Sequence, residues 1–317
     1  MTIRESRSQV EGKTDKRSVR AKIGGRVLRL TNLDKVMYPK AYFTKGHLIE
    51  YYTRIAPVLL PHLKDRPLTL KRYPDGVEGK FFYQKRCPES RPSWVKTASI
   101  RSDRQHRKIS YCLANNLPSL VWAANLADLE LHTSLACSRD PKRPTAMVFD
   151  LDPGPGVDIM DCAEVALWLR ALLSQNNLKS FPKTSGSKGL QIYVPLNTQV
   201  TFDSTKHYAR QVAERLRTDH PNEVVDQMSK SLRRGKVFID WSQNDDHKTT
   251  VCVYSLRAKP SPTVSTPLQW REVEVAFKSK TPKRLSFEAP EVLERVKESG
   301  DLFEPVLTIK QKLPELD

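Results

Sequence analysis

The apolar run Thr-Ala-Met-Val-Phe-Asp-Leu-Asp (145–152) closes on two acids, Asp150 and Asp152, and Lys-Val-Phe-Ile-Asp-Trp (236–241) carries a third, Asp240. Successive side chains on a strand alternate faces, so residues 150 and 152 point the same way, and Pro153-Gly154 stops the strand just beyond them. Like charges held close raise each other's pKa unless a cation sits between them. The economical reading is a divalent metal site. Between the acids lies Thr184-Ser185-Gly186-Ser187-Lys188-Gly189. Its glycines let backbone N–H groups approach an anion, its hydroxyls donate and Lys188 adds charge, which makes a phosphate cradle. Alone this segment reads as an ordinary hairpin, because it lacks the Walker spacing and opens no helix; its place beside the acids favours the cradle.

Composition indicates what such a site works on. The 317 residues hold 53 Lys+Arg against 36 Asp+Glu, a net charge of +17 that suits a polyanion, nucleic acid first. No stretch approaches the roughly 20 apolar residues needed to span a bilayer, and no secretory signal opens the chain, so a cytosolic protein with no membrane partner is expected. Five scattered cysteines without Cys-x-x-Cys read as buried thiols, not a disulfide framework or zinc knuckle.

The elements that must position the acids come next. Residues 1–25, basic and almost without apolar side chains, read as a disordered tail. A short strand is expected at 27–30, a turn at Thr31-Asn32 and a helix over 44–60 with Thr44 as N-cap, while 113–135 mixes helix and strand signals. From 141 the pattern is strand, helix (157–174), strand (178–182), strand (191–195), helix (204–217), and strands at 236–241 and 249–256. That order is close to the split βαβ of ferredoxin-like and RNA-recognition folds. On this plan the two acidic strands lie side by side, and three carboxylates can hold two metals, the arrangement that aligns attacking and leaving oxygens in nucleotidyl transfer. The fold class is α+β, with an N-terminal α/β module (about 26–140) packed on an antiparallel catalytic sheet (about 141–260), a helical part (about 261–305) and a 306–317 tail.

Five ordered blocks make the chain look familiar: Leu-Thr-Asn-Leu-Asp-Lys-Val-Met-Tyr-Pro (30–39), Phe-Asp-Leu-Asp-Pro-Gly (149–154), Thr-Ser-Gly-Ser-Lys-Gly-Leu (184–190), Lys-Ser-Leu-Arg-Arg-Gly-Lys-Val-Phe-Ile-Asp-Trp-Ser-Gln-Asn (230–244) and Tyr-Ser-Leu-Arg (254–257). From about 26 to 305 it resembles the polymerase domain of bacterial DNA ligase D, in the archaeo-eukaryotic primase superfamily. The resemblance implies a template-dependent polymerase, using Mn2+ or Mg2+ as two ions, that takes NTPs and dNTPs with ribonucleotides preferred. It implies work on DNA ends and gaps in non-homologous end joining, in the bacterial cytoplasm at the nucleoid, with a Ku-type end-binding protein and a DNA ligase as partners.

On the same resemblance Asp150, Asp152 and Asp240 hold the metals, and His132 sits beside the nucleotide. Without it, a lone histidine after alternating leucines reads as core. Ser185, Lys188 and Arg257 hold the triphosphate, with Gln191 and Lys71 counted among the nucleotide contacts. Lys35 and Lys45 fall where the family recognises the 5'-phosphate across a gap, with Asn32 in the same DNA-binding group. Phe81-Phe82 matches an aromatic pair that stacks on template bases, sequence-independent because every base offers a π-face. Arg233 matches a mobile-loop arginine on the primer side, and Arg234 could share its work.

The chain also departs from the family, which often has histidine where this sequence has Gln191, and glutamine carries neither proton nor charge. It has no Lys-x-Asp-Gly adenylation motif, so it is expected to lack ligase and nuclease activity of its own, as a stand-alone polymerase or an excised domain. Two other function classes compete. A haloacid-dehalogenase-like phosphatase needs Thr where Gly154 stands, and a catalytically weak end-binding and synapsis protein would be expected to lack one of the three acids.

Overall fold

The structure, a computed structural model, describes residues 18–102 and 106–314. The chain opens with a hairpin of β1 (Ser18–Ile23) and β2 (Arg26–Thr31), paired in register from Ser18↔Thr31 to Ile23↔Arg26. Residues 18–25 are therefore strand and turn and not tail: Leu28 and Leu30 are buried, and Ala21 and Ile23 pack against the same core. Residues 1–17 lie outside the described part.

After the short pair β3 (Val36–Tyr38) and β4 (Phe43–Thr44) comes α1 (Lys45–Leu63). Thr44 caps it as its sequence predicts, Oγ1 accepting from the His47 N–H while His47 Nδ1 accepts from the Thr44 N–H. The helix lays Leu48, Tyr52, Ile55 and Leu59 against a sheet built from β5 (Leu68–Arg72), β6 (Phe82–Gln84), β7 (Thr97–Ser102), β8 (Arg107–Cys112) and, after α2 (Leu117–Asn125), β9 (Asp128–Thr133). The cysteine reading is corrected here. Cys87 and Cys112 form a disulfide, since the Cys87 N–H bonds to the Ser110 carbonyl and brings the two Cα atoms to 4.9 Å; Cys137, Cys162 and Cys252 remain thiols.

The second sheet carries the acids. Its elements are β10 (Ala146–Pro153), α3 (Ile159–Gln175), β11 (Phe181–Thr184), β12 (Leu190–Pro195), α4 (Phe202–Asp219), β13 (Val224–Val225) and β14 (Val237–Asp240). Strand order is β11-β12-β10-β14-β13, antiparallel except for β13. Four strands thus keep the ferredoxin-like order, with β13 added at one edge. One face buries Met147, Phe149, Leu151 and Ile192 under α3 and α4, while Val148 and Tyr193 on the other face join the first core. Asp150 and Asp152 share that second face by alternation, so they look towards the first sheet.

The strand expected over 249–256 is shorter and lies elsewhere: β15 (Thr250–Val251) pairs with β9 in the first sheet. Beyond α5 (Trp270–Ser279), α6 (Ala289–Ser299) and α7 (Pro305–Thr308) return to the first core through Ala289, Val292, Phe303 and Val306. Residues 306–314 are no loose tail either, because Gln311 bonds to the backbone of Leu196, Lys179 and Pro195.

Candidate active site

The register of three strands assembles the acidic centre. Asp150 lies directly opposite Asp240 on one side and Gln191 on the other, and Gln191 lies opposite Lys183. One row across the sheet therefore reads Lys183, Gln191, Asp150, Asp240, with Asp152 two residues along β10. Asp240 is held from below, Oδ1 accepting from the Ser242 N–H at 3.0 Å and its Oγ–H at 2.5 Å, and Oδ2 from Gln243 Nε2 at 2.8 Å. Asn244 pins this turn to β10, accepting from the Val148 N–H and donating to the Val148 carbonyl.

Electrostatically the row is unbalanced. Burial first and then Asp152 push the Asp150 carboxyl up to about 7, with Asp240 adding to the rise and a Gln191 hydrogen bond opposing it. Asp152 is raised too, by burial and by Asp240. Lys183, fully buried, donates to Ser265 Oγ at 2.6 Å, and burial lowers it to about 7 against the pull of Asp150. Gln191 Oε1 is buried without a hydrogen-bond partner, a free acceptor at the cleft wall. Three hard oxygen donors that repel one another suit a hard divalent cation, whose charge relieves the repulsion.

Asp150, Asp152 and Gln191 line a cleft of about 580 Å³ together with His132, Ser185, Lys188, Arg233 and Arg257, while Lys183 and Asp240 of the same row are buried. The hairpin 185–189 forms one wall, and two of its amides turn inward: the Ser187 and Gly189 N–H groups both donate to Ser185 Oγ and are thereby withdrawn from an anion. Gly186, at φ +66°, packs so tightly that an added Cβ would stand 2.6 Å from the Val264 carbonyl carbon. Arg257 ties the wall down by donating to the Ser185 carbonyl. Gly154 marks where the 229–236 segment crosses the end of β10, since a Cβ there would meet the Arg233 carbonyl oxygen at 1.7 Å. Arg233 lines the cleft, its guanidinium over the Phe238 ring, whereas Arg234 is exposed outside it.

The remaining sequence-derived candidates stand back from the cleft. Phe81 and Phe82 are 51% and 43% exposed but do not act as a pair. Alternation sets Phe81 with Tyr83 around Lys71, Phe81 also stacking on Tyr73 at 5.2 Å, while Phe82 lies on the other side against Arg72. Lys35 is exposed and paired with Asp75 at 2.7 Å. Lys45 is not on a solvated face: it is 5% exposed, its Nζ donates to the Thr31 carbonyl and Oγ1, and burial, then Lys35, lower it to about 8. Asn32, at φ 52°, closes the turn between them by accepting from the Lys35 N–H.

Sequence reasoning passed over Glu130, which touches Lys71, His132 and Arg257, and Tyr83, His247 and Lys248, which line the cleft. Among the described residues Asp245, Asp246 and His247 are the one group of three acid or imidazole side chains whose ligand atoms all lie within 4.8 Å of one another; the row carboxylates are spread wider. Asp245 and Asp246 are already paired with Lys206 and Lys142, each at 2.6 Å.

An acid row beside a cationic phosphate wall invites comparison with known nucleotidyltransferases. Residues 44–303 match the family described as LigD, primase-polymerase domain. The chain belongs to the LigD primase-polymerase family. It is accordingly a primase-polymerase domain, a nucleotidyltransferase by type. The multifunctional non-homologous end joining protein LigD of Mycolicibacterium smegmatis is 41% identical over 281 residues, 88% of this chain and 36% of that protein. The bifunctional LigD of Bacillus subtilis is 32% identical over 277 residues, 87% of this chain and 43% of that protein. This LigD-type domain thus spans well under half the length of those relatives. The polymerase domain from Mycobacterium tuberculosis ligase D, solved in complex with DNA, superposes with a TM-score of 0.82 at 38% identity, covering 90% of this chain and 99% of that one. No described helix is long and apolar enough to cross a membrane.

Proposed function

We propose that this domain is a template-dependent polymerase that extends DNA ends and fills gaps in non-homologous end joining, with ribonucleotides preferred. The observation that carries the reading is the cross-strand pairing of Asp150 with Asp240, with Asp150 and Asp152 lining a cleft walled by Ser185, Lys188 and Arg257. Asp150, Asp152 and Asp240 would hold divalent cations, manganese or magnesium, which supply charge neutralisation at the transferring phosphate and lower the pKa of the primer hydroxyl. The protein's own groups position the nucleotide. Lys188 and Arg257 neutralise a triphosphate, the Ser185 hydroxyl donates to it, and His132 closes the side of the cleft towards the first sheet. Gln191 Oε1 offers an acceptor to a hydroxyl or water at the Asp150 end.

The exposed aromatics around Lys71 form a stacking platform for template bases, and Lys35 and Lys45 a seat for a 5'-phosphate. The relatives' names support a place in end joining, with a Ku-type protein and a DNA ligase as partners. Primer extension on gapped and overhanging DNA, with Mn2+ or Mg2+ and each nucleotide type, tests the proposal. Template-directed addition, faster with ribonucleotides, is expected. DNA binding without any addition would overturn the polymerase reading in favour of an end-binding role.

A further inference from the structure

Glu130 is the best-connected side chain near the cleft, yet it does not line it. It follows Leu129 in β9 and shares a strand face with His132, and its side chain is 2% exposed. Oε2 receives His132 Nε2 at 2.9 Å and Lys71 Nζ at 3.2 Å and lies 3.3 Å from Arg257 Nε; Oε1 accepts from the Ala258 N–H at 2.9 Å and the Tyr73 hydroxyl at 3.4 Å. A carboxylate offers about four acceptor positions, and five neighbours already crowd them. No capacity is left for a ligand. We propose that Glu130 is a positioning residue that presents Lys71, His132 and Arg257 to the incoming nucleotide as one unit.

The argument rests on charge and reach. Lys71 and Arg257 converge on one point beside an imidazole, and without a buried anion between them the two cations would repel and splay. Burial alone would raise the Glu130 carboxyl, but its contacts with His132, Arg257 and Lys71 hold it well below the usual carboxylate range, so it stays charged. Through Ala258 it also fixes the backbone that carries Arg257, and Arg257 in turn grips the Ser185 carbonyl. One carboxylate thus links β5 and β9 of the first sheet to the phosphate wall of the second. Displacing it moves nucleotide contacts and leaves the 5'-phosphate lysines and the acid row in place.

The inference rests on the polymerase reading. The test is Glu130→Gln, which keeps the shape and removes the charge. Native and variant proteins are compared in Mn2+-dependent primer extension across a GTP series, with DNA affinity measured separately by fluorescence anisotropy. The expected result is a KM for GTP raised about tenfold or more, with the DNA Kd within about twofold of native. In a double-mutant cycle, Lys71→Met should cost less in the Glu130→Gln background than in the native protein, because the two act together. If Glu130→Gln alone does not fold, the double variant is compared with Lys71→Met alone, so that the change in DNA Kd from losing Lys71 is common to both and the GTP KM reads the Glu130 contribution. A GTP KM within about twofold of native, or parallel losses of GTP and DNA affinity, would overturn the positioning role. A native protein that extends no primer would instead overturn the polymerase reading.

Discussion

Asp150→Asn separates the repulsion inside the acid row from whatever the row binds. In the folded protein burial and Asp152 push the Asp150 carboxyl from 3.8 to about 7, whereas the unfolded chain ionises it near its ordinary value. Because the folded pKa is the higher one, the protonated acid's contribution to stability is fully present below about pH 4 and is lost as pH rises through 7. A shift of that size corresponds to at most roughly 4 kcal/mol. Since Asp150 and Asp152 titrate together, about 1 to 3 kcal/mol is the share one substitution should recover. With EDTA at about pH 8 the variant should therefore melt roughly 2 to 6 °C above the native protein, and at about pH 4 the two should coincide. Manganese should reverse the order at the higher pH, by stabilising the native protein through binding and leaving the variant nearly unmoved. Thermal melts at three pH values, with chelator and with Mn2+, give both answers. A gap between variant and native that does not change with pH would refute the repulsion argument, and equal stabilisation by Mn2+ would refute the row as the cation's seat.

Asp152→Ala and Asp240→Ala should each abolish nucleotide addition while leaving DNA affinity unchanged or slightly higher, because they remove negative charge; near-native extension by either would sink the metal assignment. Phe81→Ala and Tyr83→Ala should weaken primer-template binding by roughly 1 to 3 kcal/mol each, and Phe82→Ala by less because it faces the other way, an order that anisotropy titrations would read directly. Combining Lys35→Ala with Lys45→Met should erase any preference for a 5'-phosphate at a gap but spare extension on a plain primer-template. A preference that survives, measured at fixed ionic strength, places the phosphate elsewhere.

The acid row was legible because period-2 alternation and a strand-ending Pro-Gly are local signals, and the split βαβ order brought Asp240 beside Asp150 without a contact having to be guessed. What failed was non-local. Glu130 reads as an acid lost among leucines, since the cations that justify it come from β5 and from residue 257. Cys87 and Cys112 are 25 residues apart, a spacing with no signature of its own. Val19, Ala21 and Ile23 alternate as a strand should, but the charged residues between them match a solvated tail equally well. The 249–256 run shows β-propensity without revealing which sheet it joins, and the first sheet takes only its start. In the aromatic segment the adjacent pair Phe81-Phe82 suggested itself, whereas strand geometry couples residues 81 and 83.

The return of the C-terminal helices to the first core bears on how the chain is made. Leu48, Tyr52 and Leu59 are synthesised early, but Ala289, Val292, Phe303 and Val306 complete the cluster that buries them, and Asp301 receives both the Tyr254 hydroxyl and His62 Nε2. A nascent chain halted near residue 260 would leave this apolar surface open and His62 without its carboxylate. The second sheet also waits, because Leu268, Val273, Ala276 and Leu285 belong to its core. Neither half can finish until Leu285 and Val306 have been made, so a chain cut short before them is the form most exposed to aggregation and most in need of a chaperone. Truncations at the apparent module boundary should for the same reason yield insoluble fragments and not a working half-enzyme.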